Sequence, residues 1–326
     1  METTNGRAVV QKIALPQDGR TICVSDIHGS LDVFRSLLEK INYSEKDTLL
    51  LLGDLYTKGK QGRETLRYIM ELAERENVYA LRGNCDWIEG WTDENERAWL
   101  KGLPHILESD DYIFVHSGIE PGALAEQSAM ACMKTDAFLE KCGTFERYVV
   151  TGHWPTGNYT RGAMCCNPII DFDKRVIAID GGMVVRRTEG QLNAFIIERG
   201  GFSFEAADEL PVVTVEKDQA ASENPFTITW NDRFVEETDG GAKPDAHSNA
   251  DEFGGASEFG LYRHLATGKL IELARDRVWR DENGRLCANG TNYRLPVKAG
   301  ERVSVVREYS DRFMAKKDGI IGWVYR

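Results

Sequence analysis

Three stretches of this chain repeat one arrangement: an apolar run, a stop on a polar residue beside glycine, then a helix-forming stretch. In TICVSDIHG the run Thr21–Val24 breaks at Asp26–Gly29 before LDVFRSLLEKI, where Leu31, Phe34, Leu37, Leu38 and Ile41 recur at helical spacing. DTLLLLGD reads as a buried strand ending in Gly53 and Asp54, with the amphipathic stretch ETLRYIMELAERE after it, and NVYALRGNCD closes on Gly83 and Asn84. Strands alternating with helices predict an α/β fold whose sheet has parallel neighbours joined by crossover helices. The polar residues at the strand ends then line one edge, which is where open α/β sheets place ligands.

Further runs are rich in β-formers. YIFVHSG (112–118), YVVTGHW (148–154) and RVIAIDGG (175–182) each end in a potential ligand or a glycine turn. PGALAEQSAMACMKTDAFLEKCG, between the first two, reads as a helical excursion, and QLNAFIIERGGFSFEAADELPVVTVE as the last strands of the core. From Glu236 to Phe259 the chain is acidic, carries glycine and has almost no large apolar residues, which is linker composition. Beyond it, KLIELARDRVW, ERVSVVREY and IIGWVYR are short strand candidates separated by turn signals, and they predict a small β-barrel. The expected division is a catalytic domain over 1–235, a linker over 236–259 and a β-barrel domain over 260–326. A length of 326 residues suits that division, because single cores rarely grow past about 250–300 residues.

Composition narrows the partners. A net charge of −12 means that a groove tracking the phosphates of a duplex would have to be a local patch against the mean field, so no duplex nucleic acid is expected. No stretch approaches the roughly 20 apolar residues of a membrane span, and the N-terminal residues lack a basic segment followed by an apolar run. Seven cysteines, none in C-x-x-C spacing, argue against a structural zinc site; they suit a reducing compartment, and a cytoplasmic location is expected.

Asp26, His28, Asp54, Asn84, His116 and His153 each follow an apolar run, and several sit beside glycine. Singly, each has an ordinary explanation: a strand-end histidine is usually solvated, and an Asp or Asn before a helix is usually an N-cap. Together they form the oxygen- and nitrogen-rich set that two divalent cations need in order to bind phosphate oxygens and activate a water. The spacings of 28 residues from Asp26 to Asp54 and 30 from Asp54 to Asn84 match one strand–helix unit each. Manganese is the expected metal, with iron or zinc accommodated by the same donors.

These residues stand in motifs that resemble those of the calcineurin-like metallophosphoesterases, in particular the phosphoprotein-phosphatase branch with its bacterial protein phosphatases and symmetrical dinucleoside-tetraphosphatases. The matching elements are SDIHG, GDLYTKG, GNCD, VHSGIEP and TGHWPTG, with IAIDGG further on, and the resemblance runs from about Thr21 to Gly182. It implies a four-layer α/β/β/α sandwich in which Asp26, His28 and the shared Asp54 hold one metal while Asp54, Asn84, His116 and His153 hold the other. A water bridging the two metals would attack phosphorus as hydroxide. The C-terminal run from Val297 to Arg326 similarly resembles the latter half of a bacterial SH3-like domain, which implies a module that targets, dimerises, covers the site or engages a protein partner.

The departures from the branch pattern bear on the leaving group. Where the branch carries an acidic residue and an arginine, this chain has Thr57 and Lys58; where it carries the histidine that donates a proton to the leaving group, this chain has Cys85. A thiol with a pKa near 8.5 is a poor acid for an alkoxide. Leaving groups that need little protonation are therefore expected: aryl phosphates, phosphodiesters or phosphoanhydrides. Asp54, Lys58, Cys85 and Asp86 are the candidate catalytic residues, and Lys58, Asn84 and Arg161 the candidate substrate contacts. Asp86 also reads as a brace for the Asn84 loop, and Trp87, Trp91 and Trp154 read as cleft floor or as core and lid packing. The expected function is a metal-dependent phosphoesterase resembling serine/threonine protein phosphatases. The alternatives are a phosphodiesterase or dinucleoside-polyphosphate hydrolase, and a metal-binding scaffold without catalysis.

Overall fold

The computed structural model describes residues 6–160, 162–186, 188–238 and 258–326. In chain order its first elements are β1 (Val10–Lys12), β2 (Arg20–Val24), α1 (Leu31–Lys40), β3 (Thr48–Leu51), α2 (Gly62–Leu72), β4 (Val78–Ala80) and α3 (Glu94–Gly102). Then come β5 (Ile106–Glu108), β6 (Tyr112–Val115), α4 (Ala129–Lys134), α5 (Phe138–Lys141), β7 (Tyr148–Thr151), β8 (Met164–Cys165), β9 (Ile169–Asp171), β10 (Val176–Ala178), β11 (Leu192–Glu198) and β12 (Gly201–Ala207). All but β8 belong to one compact unit, which runs to Thr156 and resumes over Cys166–Glu209.

Two sheets organise this unit. The first has the order β12-β11-β2-β3-β4, with β2, β3 and β4 parallel and β11 antiparallel to β2; the second has the order β1-β5-β6-β7-β10-β9. The inner strands of the first sheet are apolar throughout because both of their faces are buried. On β2, Ile22 and Val24 pack with Phe34 and Leu37 of α1 and with Leu66 and Ile69 of α2, while Cys23 between them packs with Phe114, Val150 and Ile177 of the second sheet. Leu49 and Leu51 of β3 repeat the first pattern and Leu50 the second. The unit is thus a mixed α/β structure, with helices covering one sheet whose other face packs on a second sheet. Helix α3 starts on a capping box, in which the Asp93 side chain accepts from the Glu96 N–H and Glu96 accepts from the Asp93 N–H.

The second unit takes Gly157–Cys165 and Leu210–Arg326. Its elements are β8, β13 (Val212–Thr214), β14 (Thr227–Ile228), β15 (Val235–Glu237), β16 (Phe259–His264), β17 (Leu270–Ala274), β18 (Val278–Arg280), β19 (Leu286–Ala288), β20 (Gly290–Thr291), β21 (Arg302–Glu308), β22 (Arg312–Lys317) and β23 (Ile320–Tyr325). The main sheet, β13-β21-β22-β23-β8, is antiparallel throughout. The unit boundary falls at Leu210, ahead of the 235 read from sequence, because Val212–Thr214 pair with Arg302–Ser304. Nothing in the local sequence marks a pairing that distant. Residues 239–257, most of the expected linker, lie outside the described residues, while Val235–Glu237 pair with Tyr262–His264 as a strand. Among the described residues no helix is long and apolar enough to cross a membrane.

Candidate metal centre

Strand register sets the site. Val24 lies opposite Leu51, which lies opposite Ala80, so the chain leaves all three strands at one edge just before Asp26, Asp54 and Asn84. In the second sheet Thr151 lies opposite both Val115 and Ala178, which brings His116, His153 and Asp180 out at the ends of β6, β7 and β10. The backbone then turns sharply: Asp26, His28, Asp54, Lys58 and His153 all have φ between 48° and 74°. Such a conformation costs a non-glycine residue about 1–3 kcal/mol and persists only where the surroundings enforce it. Two glycines allow the close approach. A Cβ on Gly83 would fall on the backbone nitrogen and Oδ1 of Asp54, and one on Gly152 would fall on Ser25 Oγ and Asp26 Oδ2.

Asp54 stands at the centre. Its Oδ1 lies 3.4 Å from His116 Nε2 and its Oδ2 lies 3.6 Å from His28 Nε2, which is in turn 3.8 Å from Asp26 Oδ1. His116 Nδ1 is 2.8 Å from the Leu52 carbonyl oxygen and donates to it, which in the neutral ring leaves Nε2 as the acceptor. That acceptor faces Asn84 Oδ1 at 3.1 Å, and the Asn84 amide is oriented by its Nδ2, 3.1 Å from Cys85 Sγ. With that ring neutral, a carboxylate oxygen, an amide oxygen and an imidazole lone pair converge, and a cation held by Asp54, Asn84 and His116 would resolve their mutual repulsion. Ligand atoms of Asp26, Asp54 and His116 all lie within 4.8 Å of one another. His28 Nδ1 is buried and has no hydrogen-bond partner among the described residues. This donor set, hard oxygen with borderline nitrogen, fits divalent Mn, Fe or Zn.

Charge in the cavity is unevenly shared. Burial and the neighbouring Asp54 raise the Asp26 carboxyl well above its ordinary range, although Ser25 Oγ and the His153 N–H both donate to it. For Asp54 burial pulls the same way, but His116, His28 and the Cys85 N–H outweigh it and hold the group down to about 2. Burial lowers His28 to about 4, and burial together with His116 lowers His153 to about 4, so both imidazoles are neutral and able to ligate at pH 7. His153 Nε2 is 2.9 Å from Asp136 Oδ1, a contact that orients the ring.

The residues around the cage take distinct places. Asp86 is buried, and its two oxygens accept from the N–H groups of Asp54, Leu55 and Gly83, so it ties together the two loops that carry Asp54 and Asn84. Thr57 Oγ1 donates to the Cys85 carbonyl oxygen at 2.6 Å. The Cys85 thiol is buried, which, with Asp54 nearby, pushes it up to about 12, and it is hydrogen-bonded to Lys58. Arg161 lies outside the described residues. Trp154 is buried, whereas Trp87 and Trp91 are exposed. Two carboxylates at the site were not among the sequence candidates. Asp180 is buried, with Oδ1 accepting from the Gly182 N–H and Oδ2 without a partner among the described residues; its signal was the strand-end pattern of RVIAIDGG. Asp136 gave no signal, since it lies in the loop between α4 and α5.

Fold and donor set together define a metallohydrolase-type α/β domain. Residues 19–179, which contain all six cage residues, match the calcineurin-like phosphoesterase family, and over this segment the chain belongs to that family as a metallophosphoesterase. Over 123 residues it is 32% identical to a symmetrical bis(5'-nucleosyl)-tetraphosphatase of Vibrio campbellii, covering 31% of this chain and 45% of that protein. It is 27% identical over 149 residues to the enzyme of the same description from Aromatoleum aromaticum, covering 39% of this chain and 55% of that protein. The chain thus spans about half the length of these curated relatives. Among solved structures, a protein serine/threonine phosphatase from Saccharomyces cerevisiae superposes with a TM-score of 0.45 at 14% identity, covering 64% of this chain and 86% of that one.

Proposed function

We propose that this protein hydrolyses phosphate esters or anhydrides with two divalent cations, held by Asp26, His28 and Asp54 on one side and by Asp54, Asn84, His116 and His153 on the other. The observation that carries the reading is the convergence of Asp54 Oδ1, Asn84 Oδ1 and His116 Nε2, with Asp54 Oδ2 turned to His28. Bound there, the cations would supply positive charge to the phosphoryl oxygens and a site for activating water. The chain's own groups do the rest. Asp86 braces the two ligand loops, and Lys58 places an ammonium, hydrogen-bonded to Cys85, beside the cage, where it offers charge to a phosphate oxygen.

The substrate class follows from what stands opposite the leaving group. A general acid is typically worth about 10²–10⁴-fold, and a buried thiol beside Lys58, with Thr57 Oγ1 bonded to the Cys85 carbonyl oxygen, is a poor replacement for an imidazole paired with a carboxylate. Aryl phosphates, aryl phosphodiesters and phosphoanhydrides expel groups that depart readily without a proton. The tetraphosphatase descriptions of the relatives support the anhydride within that group, so a dinucleoside polyphosphate is the leading physiological candidate. The C-terminal unit, with its antiparallel β21-β22-β23 meander, is read as an SH3-like appendage that engages a protein partner.

Manganese-supplemented hydrolysis of p-nitrophenyl phosphate, its bis-aryl diester and a phosphoserine peptide tests the proposal, with Asp54→Asn as control. The expected order is aryl ester and diester far above phosphoserine, with loss of all three in the variant. Equal efficiency on phosphoserine would restore the protein-phosphatase reading, activity indifferent to Asp54→Asn would overturn the metal assignment, and no turnover at all would favour the scaffold.

A further inference from the structure

Beside the cage lies a cavity of about 360 Å³ that no feature of the metal chemistry requires. It is lined by Thr57 and Lys58, which follow Asp54 closely in the chain, by Lys60 ahead of α2, by Arg63 in the first turn of α2, and by Glu89 and Trp91, with Tyr56 and Glu64 beside them. Its volume is in the range of pockets that hold small organic ligands, roughly 300–1,000 Å³. Two properties identify its occupant.

The first is charge. Lys58, Lys60 and Arg63 bring three cations to one small cavity in a chain whose net charge is −12. Glu64 and Glu89 offset part of this, but Glu89 is already engaged as acceptor for the Trp87 indole at 2.5 Å. Among the described residues the carboxylate partner of Arg63 is Glu96, at 3.7 Å and shared with Arg67, and no carboxylate pairs with Lys60. The second is a flat apolar wall. Trp91 meets Tyr56 edge to face at 5.6 Å and lies 5.7 Å from the Arg63 guanidinium, yet it remains 37% exposed.

We propose that this cavity is a nucleoside-phosphate subsite. Lys60 and Arg63 hold a phosphate that is not the one cleaved, and Trp91 stacks on the base. Because Tyr56, Thr57 and Lys58 connect it to the Asp54 loop, the subsite receives the leaving half of a substrate bound at the cage. That last assignment rests on the phosphoesterase reading; the subsite itself does not.

Calorimetric titration of the full chain in chelator-containing, metal-free buffer, with ADP and with inorganic pyrophosphate as probes, tests it without turnover. Trp91→Ala should weaken ADP binding roughly tenfold, the scale of one lost base stack, and leave pyrophosphate unchanged, while Trp91→Phe restores ADP to within about threefold. Lys60→Ala should weaken both probes. The subsite is overturned if the wild-type chain does not bind ADP, if Trp91→Ala affects both probes equally or neither, or if Lys60→Ala changes neither. Should Trp91→Ala fail to fold, Trp91→Phe and Lys60→Ala still carry the test. Manganese-dependent hydrolysis of p-nitrophenyl phosphate, measured separately, fails only if the phosphoesterase reading fails.

Discussion

Asp47 shows how one residue ties charge to stability well away from the cage. Its carboxylate takes a two-point contact from Arg20, Nε to Oδ1 at 2.9 Å and Nη2 to Oδ2 at 2.7 Å, and it also accepts from the Ser44 N–H at 2.8 Å. Arg20 continues to the carbonyl oxygens of Ile41 and Asn42, so the pair fastens the end of α1 to the sheet. Burial works to raise the Asp47 pKa, but Arg20 and Ser44 together hold it below the ordinary carboxylate range. A folded pKa below the unfolded one contributes stability that is present above about pH 4 and is lost as pH falls through the folded value. Asp47→Asn should therefore cost about 1–3 kcal/mol at pH 7, with the gap to wild type narrowing as pH falls below about 4 in urea denaturation. A gap that does not narrow with falling pH would show that the charge is not what matters.

At the scale of elements, the strand-end loops are what hold the cage in shape. The loop after β7 passes Gly152 against Ser25 and Asp26, where a methyl group has no room. Gly152→Ala should displace Asp26 and lower manganese affinity by about tenfold or more, the range typical of disturbed outer-shell support. Gly143 is the matched control, because a Cβ there meets nothing within 4 Å. Isothermal titration with manganese reads both variants; equal affinities would mean that the β7 loop does not set the position of Asp26.

The whole molecule is divided less simply than its sequence. Gly157–Cys165 leaves the first unit directly after the His153 loop, and within the second unit Met164 and Cys165 pair with Ile321 and Ile320 of β23. A fragment ending at Glu209 keeps that segment but loses its strand partner. The freed segment should be cleaved by protease within 157–165 in the fragment and protected in the full chain. A fragment in which 157–165 stays as protected as in the full chain would show that pairing with β23 is not what orders it.

What could be read from sequence was whatever repeats locally. Apolar runs that end on glycine and a ligand-type residue marked β2, β3, β4, β6 and β7, and with them the positions of the six candidate ligands, because strand period and turn chemistry act over a few residues. The substitution of Thr57 and Cys85 was equally visible, since it is a matter of residue type alone. Contacts between distant segments were not visible. Asp136 reaches His153 from a loop without periodicity, and Val212–Thr214 join a strand some 90 residues away; the bracing of the Asn84 loop by Asp86 was legible, but its reach to the Asp54 N–H was not. Lys60, Arg63 and Trp91 are an ordinary turn, helix start and loop until folding sets them around one cavity. The sequence by itself determined which atoms can bind a cation, because donor chemistry belongs to the side chain. Only the tertiary structure decided which of them converge and what lies beside them, because strand register and long-range pairing set distances that no local pattern encodes.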